Sequence, residues 1–229
     1  MDVDILLYDG FDELDGIGPY EVFDYALGYA AEEAREGGTD GSGDDVTDES
    51  VDRPGRVRYV TLDERDWVTA SHGTRVGVDG VLPDPDSDEA PDLLVVPGGG
   101  WTARDGARWA WAEAQKGDVP RVLGEYHTAG VRTAAVCTGA MLLAEAGVTE
   151  GRRAVTHASA IDELRESGAE VVDARVVDDG DLLTAGGVTS GIDLALYLVE
   201  REFGETIADR VATVIEYERR YEVAGDGSA

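Results

Sequence analysis

Ala135-Val136-Cys137-Thr138-Gly139-Ala140 is the stretch of sequence that decides the fold. The apolar run 131–136 before it predicts a buried strand, and the small residues from Thr138 to Ala146 predict a helix. A strand that breaks into a helix at one reactive side chain is the layout of a nucleophile elbow. In that layout a tight turn projects the nucleophile and small neighbours allow close packing. The stretch therefore predicts an α/β fold with Cys137 at a strand–helix turn.

Apolar strands alternate with helical segments along the rest of the chain. Further strands are predicted at 3–8, 57–62 and 92–96, with hairpins at 67–69/75–78 and 170–177/181–184. One helix is predicted to begin at Gly18-Pro19, and a helical region covers about 104–128. Another helix is predicted from a capping box at Ser159 to Gly168. An amphipathic helix is predicted from Thr189 to Phe203, with Gly204 at its end, and a last helix reaches about Tyr217. This alternation predicts a mostly parallel sheet with helices on both faces, in which sites lie beyond the carboxyl ends of the strands.

The composition predicts one domain over residues 1–229, with an insertion and a C-terminal tail added to it. Residues 31–56 are acidic and rich in glycine and serine, which indicates a solvated insertion. Residues 224–229 read as a loose tail.

The charge balance narrows the possible partners. The chain carries 49 Asp and Glu against 19 Lys and Arg, for a formal net charge of -30. Such a chain is repelled by nucleic acid and by anionic membrane surfaces, so neither is an expected partner and a small-molecule substrate is. One cysteine excludes an internal disulfide, and no leader or membrane-spanning run is visible, so we expect a cytoplasmic protein.

Cys137 is the candidate nucleophile. Backbone N–H groups and the dipole at a helix N-terminus favour thiolate over thiol, so we expect Cys137 to be ionised near neutrality. The run Pro97-Gly98-Gly99-Gly100 follows a strand without a Gly-Lys-Ser/Thr continuation, which excludes a Walker phosphate loop. We expect the Gly98–Gly99 turn to help bind a developing oxyanion, through the N–H of Gly99 together with that of Thr138.

Asp15 and His157 are the candidate partners of the cysteine. Leu14 and Ile17 flank Asp15, which favours an inward carboxyl able to hold a transferable proton, whereas no role is expected for Asp12. His157 ends a strand-like edge and could approach the cysteine. The remaining histidines, in a turn and near a helix end, form no spaced Cys/His cluster, so the sequence gives no support for a metal or another cofactor.

Four motifs together resemble the ThiJ/PfpI family, whose members have the class I glutamine-amidotransferase-like, flavodoxin-like fold. They are, in chain order, Leu14-Asp15-Gly16-Ile17-Gly18-Pro19-Tyr20-Glu21-Val22-Phe23, Val95-Val96-Pro97-Gly98-Gly99, Val136-Cys137-Thr138-Gly139 and Thr184-Ala185-Gly186-Gly187-Val188-Thr189-Ser190-Gly191-Ile192-Asp193. Within the family the chain looks most like the isonitrile hydratase branch and the amidase-like domain of AraC-type regulators. The resemblance implies a nucleophile at Cys137, a carboxylic partner at Asp15, a nearby imidazole at His157, a catalytic role for Thr138 and a homodimer.

Two departures shape the functional expectation. The protease-like and glyoxalase-like branches usually have histidine directly after the cysteine, where this chain has Thr138. The AraC-type regulators carry an added DNA-binding domain, and from the 229 residues of this sequence we expect none. We therefore expect a cysteine-dependent hydratase or hydrolase that resembles isonitrile hydratase. The alternatives are glyoxalase-type conversion of a 2-oxoaldehyde and a non-enzymatic redox or stress sensor in which Cys137 is reversibly oxidised.

The acidic surface generates the first testable prediction. Lys116 is the only lysine among the 19 cationic residues, and the acids are spread along the whole chain, as in halophilic proteins. Since salt screens the repulsion between carboxylates, dialysis from molar salt to about 0.1 M, where the Debye length is ~10 Å, should cause cooperative unfolding. Circular dichroism measures it, and unchanged stability across that range would contradict a salt-adapted surface.

Overall fold

A seven-stranded sheet with helices around it forms the centre of the structure. The computed structural model of the protein describes residues 1–37, 53–219 and 223–225. Along the chain its elements are β1 (Val3–Leu6), α1 (Glu13–Gly37), β2 (Val57–Thr61), β3 (Trp67–Thr69), β4 (Arg75–Gly77), β5 (Gly80–Val81), β6 (Leu93–Val96), α2 (Trp109–Lys116), α3 (Asp118–Thr128), β7 (Arg132–Val136), α4 (Gly139–Glu145), β8 (Arg153–Ala154), a 3₁₀ turn (Ala158–Ala160), α5 (Ile161–Glu166), β9 (Glu170–Val171), β10 (Val176–Asp179), β11 (Leu182–Ala185), α6 (Ser190–Phe203) and α7 (Glu205–Val214).

The strand order of the main sheet is β10-β11-β7-β6-β1-β2-β5. Neighbouring strands are parallel except for the β10–β11 hairpin. Helices α1, α6 and α7 pack against one another in one layer, and α2, α3 and α4 pack together in the other. The predicted flavodoxin-like sandwich is therefore confirmed, as is the hairpin β3–β4. The second hairpin differs from the predicted 170–177/181–184, since it joins Val176–Asp179 to Leu182–Ala185, whereas Glu170–Val171 pair with β8 outside the main sheet. Within the described residues no helix has both the length and the apolar character needed to cross a membrane.

A buried ion pair fixes the register of the two strands β1 and β2. Asp4 in β1 is fully buried, and the Arg58 guanidinium donates to both of its carboxylate oxygens, from Nε at 2.9 Å and from Nη2 at 2.7 Å. The two residues lie opposite each other in the parallel ladder. A slip by one residue would separate them and leave a carboxylate buried without its partner, so the pair helps to specify this alignment.

Helix α1 differs from its prediction at both ends. It begins at Glu13, where the Asp12 carboxylate caps the N–H of Leu14 at 3.2 Å, so Pro19 lies inside the helix and does not open it. It continues to Gly37 because residues 30–36 are mostly Ala, Glu and Arg, which favour helix, so the predicted insertion is helical in its first part. Residues 38–52 of that insertion lie outside the described residues.

Three smaller predictions are also corrected. The helical region 104–128 divides into α2 and α3 at Gly117, whose φ of 81° ends the first helix. The His157 imidazole, rather than a capping box at Ser159, accepts the N–H that opens the 3₁₀ turn before α5. Ala224 pairs with β10 through two backbone hydrogen bonds of 3.0 Å, so the expected loose tail begins in contact with the sheet, and residues 226–229 lie outside the described residues.

The Asp4–Arg58 pair generates a stability prediction. Arg58→Met should lower the free energy of unfolding by about 3 kcal/mol, because it leaves the Asp4 carboxylate buried without its partner. The matched control is Arg165→Met, whose partner Asp162 has a side chain that is 90% exposed, and it should change stability by less than about 0.5 kcal/mol. Urea denaturation at constant salt measures both variants, and equal losses would show that the buried pair is not special.

Candidate active site

Cys137 lies at the carboxyl end of β7, in a backbone conformation that residues other than glycine rarely adopt. Its φ is 56°, a left-handed value that costs roughly 1–2 kcal/mol in an L-residue. The surrounding sheet holds it there, since the Cys137 N–H donates to the Ala185 carbonyl oxygen of β11 at 2.9 Å. Backbone strain of this kind persists where the neighbouring structure fixes it, which is common at functional sites.

The loop after β6 packs directly against this turn. A Cβ on Gly98 would lie 2.4 Å from the Thr138 nitrogen, and a Cβ on Gly139 would lie 2.1 Å from the Val96 carbonyl oxygen. Both positions therefore require glycine, because any larger residue would push the two loops apart. The close approach brings the end of β6 beside Thr138, the residue that follows Cys137.

Asp15, in the first turn of α1, is fully buried beside the cysteine. Its Oδ2 accepts the N–H of Gly98 at 3.0 Å. Its Oδ1 has no hydrogen-bond partner of standard geometry in the described part of the chain, while the carboxyl and the Cys137 thiol are close enough to influence each other. Burial, followed by the nearby charge of Asp12, raises the pKa of Asp15 well above its usual value. The structure thus brings the predicted carboxyl and the predicted nucleophile together.

The thiol is harder to ionise than the sequence indicated. Burial, followed by the negative charge of Asp15, raises the pKa of Cys137, whereas hydrogen bonds from the Thr138 amide and side chain act in the opposite direction. The expectation of a thiolate near neutrality took account of the helix N-terminus and not of burial. It is wrong for the resting site, where burial is the larger effect.

The expected oxyanion site is not formed by the glycine loop. The Gly98 N–H donates to Asp15, and the Gly99 N–H donates to Thr138 Oγ1 at 2.9 Å. Both amides are engaged within the protein, because the loop serves to hold the carboxyl and the hydroxyl in place. Thr138 is nevertheless in the predicted position, with its amide and its hydroxyl next to the Cys137 sulfur.

His157 lies in the segment that borders the cysteine, but its imidazole is engaged elsewhere. Its Nδ1 is 2.8 Å from Ser159 Oγ and accepts the Ser159 N–H at 3.2 Å. The adjacent Thr156 is the residue of this segment that contacts Cys137, since its hydroxyl donates to the Cys137 carbonyl oxygen at 2.9 Å. The structure therefore shows a capping contact for His157 and no hydrogen bond between its imidazole and the sulfur.

Two further residues of the site were missed by sequence reasoning. Tyr8 is buried at the end of the first apolar run; its hydroxyl donates to the Pro97 carbonyl oxygen at 2.8 Å, and burial raises its pKa, helped by the charges of Asp15 and Cys137. The N–H of Asp12 donates to the Gly98 carbonyl oxygen at 2.8 Å, and its charge acts on both Asp15 and Cys137. The sequence favours a core position for Tyr8 and a surface position for Asp12, which is one of many acidic residues. Only their place at the end of the first apolar run and just after it could have indicated that they belong to the site.

The remaining histidines stay outside the site. His72 lies in the β3–β4 turn and contacts Glu13; although partial burial acts in the opposite direction, hydrogen bonds from His72 and Ser71 lower the pKa of Glu13 to about 2. His127 lies near the end of α3. Among the described residues no group of three or more His, Cys, Asp or Glu side chains is arranged to hold a metal ion.

The family model of the DJ-1/PfpI family matches residues 1–201. The chain belongs to the DJ-1/PfpI family. Solved structures of similar fold include a ThiJ/PfpI family protein from Pseudomonas syringae, 23% identical with a TM-score of 0.73 over 96% of this chain and 76% of that one. An AraC family transcriptional regulator from Pseudomonas putida is 22% identical with a TM-score of 0.69, over 93% of this chain and 98% of that one.

Curated relatives in the DJ-1/PfpI family differ in their activities. An isonitrile hydratase from Pseudomonas putida is 46% identical over 82 residues, 36% of this chain and 36% of its own length. A DJ-1 homologue from Arabidopsis thaliana is 27% identical over 69% of this chain and 39% of its own length, so the match spans little more than a third of each of these relatives. A deglycase from Pyrococcus horikoshii is 33% identical over 65% of this chain and 81% of its own length.

The position of Asp12 generates a prediction about the thiol. Asp12→Asn keeps the cap on α1 but removes a negative charge that disfavours ionisation of Asp15 and Cys137. The pH profile of Cys137 alkylation by iodoacetamide should therefore move to lower pH, by roughly 0.5–1 unit. Asp66→Asn, an exposed acid on the β3 side, is the control and should leave the profile in place. An unchanged pH profile in Asp12→Asn would mean that the charge of Asp12 does not affect the ionisation of Cys137.

Proposed function

We propose that this protein is a cysteine-dependent enzyme that hydrates isonitriles to N-substituted formamides. The observation that carries the proposal is the fully buried Asp15 beside Cys137, with Thr138 rather than histidine after the nucleophile. An isonitrile needs a nucleophile and a proton donor at the same carbon, and this pair can supply both. The partial match to an isonitrile hydratase also supports the proposal.

Both members of the resting pair favour their protonated forms, and Asp15 carries protons between the sulfur and the substrate. The Cys137 sulfur attacks the terminal isonitrile carbon as the Asp15 carboxyl gives its proton to that carbon and takes the thiol proton in exchange, which forms a thioimidate and leaves Asp15 protonated. Asp15 then gives its proton to the substrate nitrogen and takes one from the water molecule whose oxygen adds to the same carbon. The carbon–sulfur bond breaks as the remaining hydroxyl proton of the intermediate passes to the sulfur. The formamide leaves, with Cys137 again a thiol and Asp15 again a carboxylic acid.

The surrounding residues are proposed to position this pair. Gly98 holds the carboxyl through its N–H, while the Thr138 amide and hydroxyl stabilise the sulfur as it becomes negative. Gly99 keeps the Thr138 side chain in place. Because both glycine amides are engaged, the site offers less to the oxyanion of acyl transfer, which favours hydration over amide or peptide hydrolysis. We assign His157 no proton transfer, since its Nδ1 is engaged by Ser159.

Two alternatives use the same cysteine. The resemblance to deglycases over most of the chain favours attack on a 2-oxoaldehyde, with a hemithioacetal at Cys137, as the second candidate. A redox or stress sensor would oxidise Cys137 to sulfenic or sulfinic acid without turnover. We also propose, from the family resemblance and the acidic surface, a cytoplasmic homodimer that binds neither nucleic acid nor membranes and needs no metal.

A turnover screen on the reduced protein tests the proposal. Benzyl isonitrile should give N-benzylformamide, whereas methylglyoxal should give no lactate. Cys137→Ser should abolish turnover, and Asp15→Asn should lower the rate by ~10²–10⁴-fold because it cannot transfer a proton. Asp66→Asn is the matched control and should keep the wild-type rate. Lactate without formamide would favour the aldehyde reaction, and oxidation of Cys137 by mild peroxide without any turnover would favour the sensor.

A further inference from the structure

A groove of about 570 Å³ opens at the carboxyl end of β11. Its walls come from three segments: 155–161 before and at the start of α5, 173–175 before β10, and 186–190 after β11. Its volume lies within the range of about 300–1,000 Å³ that is usual for small-molecule sites. The carboxyl end of a parallel strand is also where α/β sheets bind ligands.

Two hydrogen bonds connect this groove to the cysteine. The Cys137 N–H donates to the Ala185 carbonyl oxygen at 2.9 Å, and the next residue, Gly186, lines the groove. Thr156, which also lines it, donates its hydroxyl to the Cys137 carbonyl oxygen at 2.9 Å. Cys137 does not itself line the groove, but two of the segments that form its walls are held against the Cys137 backbone on the β11 side.

The lining has an apolar wall and a polar one. Apolar side chains come from Val155, Ala158, Ile161 and Ala174, whereas Thr156, Asp173, Arg175 and Ser190 are polar or charged. Asp173 is exposed at the rim, and its carboxylate makes no hydrogen bond or ion pair within the residues that the structure describes.

The cation of the lining is already engaged. The Arg175 guanidinium contacts Asp193 and donates to Thr189 Oγ1 at 2.7 Å and to the Tyr217 hydroxyl at 3.2 Å. These contacts tie it to the start of α6 and to the segment after α7. The groove consequently offers an apolar surface and a negative rim, in a chain whose net charge is -30.

We propose that this groove binds the substituent that the substrate carries on its nitrogen, and that it selects apolar substituents that are neutral or cationic. The inference rests on the proposed function for the identity of the reacting group. The apolar walls take a ring or branched chain, and Asp173 binds an ammonium group at its far end. Substrates that carry a carboxylate are repelled by the rim and by the net charge.

The test uses reagents that report on the groove whether or not isonitriles react. Cys137 is the only cysteine, so its alkylation by iodoacetamide, N-benzyl iodoacetamide and N-(4-aminomethylbenzyl) iodoacetamide can be compared directly. The benzyl-to-plain ratio is the alkylation rate with N-benzyl iodoacetamide divided by the rate with iodoacetamide. Ile161→Trp fills the groove and should lower this ratio at least about tenfold, because the benzyl group then loses its contacts with the pocket. Ala158→Phe fills it from an exposed position and should do the same. Val214→Trp on α7 is the control and should leave the ratio unchanged.

The rim is tested by removing its charge. Asp173→Asn should lower the rate with the aminomethylbenzyl reagent about threefold relative to the benzyl reagent, an effect expected of one exposed charge. Asp86→Asn, an exposed acid beside α3, should not. Circular dichroism identifies any variant that does not fold.

The outcomes separate the two proposals. A wild-type benzyl-to-plain ratio in a folded groove-filling variant, or an equal fall in Val214→Trp, overturns the groove assignment. A selective fall supports it. Absence of formamide from any isonitrile overturns the proposed function, while the alkylation ratios still decide the groove.

Discussion

The buried contact between Asp15 and Cys137 is the constraint on which the site depends. It exists because three chain segments converge: the first turn of α1, the Gly98 loop after β6, and the strained turn after β7. The Gly98 N–H holds one carboxyl oxygen, while the carboxyl and the Cys137 thiol are close enough to influence each other's ionisation. Parallel strands make this possible, because their carboxyl ends meet at one edge of the sheet.

Burial determines the chemistry that this contact can perform. A solvated carboxyl would be ionised and could give no proton, whereas burial and the charge of Asp12 raise the pKa of Asp15 and favour its protonated form. The same burial disfavours the thiolate, and Thr138 offsets part of that cost with two hydrogen bonds. The pair is therefore suited to a reaction in which sulfur attack and proton transfer occur at one carbon. The engaged glycine amides make it less suited to acyl transfer.

Much of this architecture could be predicted from the sequence. Apolar runs such as 92–96 and 131–136 identify the buried parallel strands, since a strand covered on both faces has no polar alternation. Cys137 was identifiable because it stands where such a run meets small residues. Asp15 was identifiable because apolar residues flank it, although the chain contains 49 acids.

Long-range contacts could not be predicted in the same way. The sequence does not show that Gly99 gives its N–H to Thr138, or that His157 caps a turn, because both depend on how separate loops meet. Asp12 looked like one more surface acid, and Tyr8 looked like core. The start of α1 was missed because Pro19 is a strong local signal, while the cap from Asp12 is a single hydrogen bond.

Infrared difference spectroscopy between the wild-type protein and Asp15→Asn tests the central claim most directly, because it detects a protonated carboxyl group. At neutral pH we expect a carboxylic acid C=O band that is present in the wild type, absent in Asp15→Asn, and still present in the control Asp66→Asn. A difference spectrum with only ionised carboxylate bands would contradict the account, because Asp15 would then hold no proton to transfer.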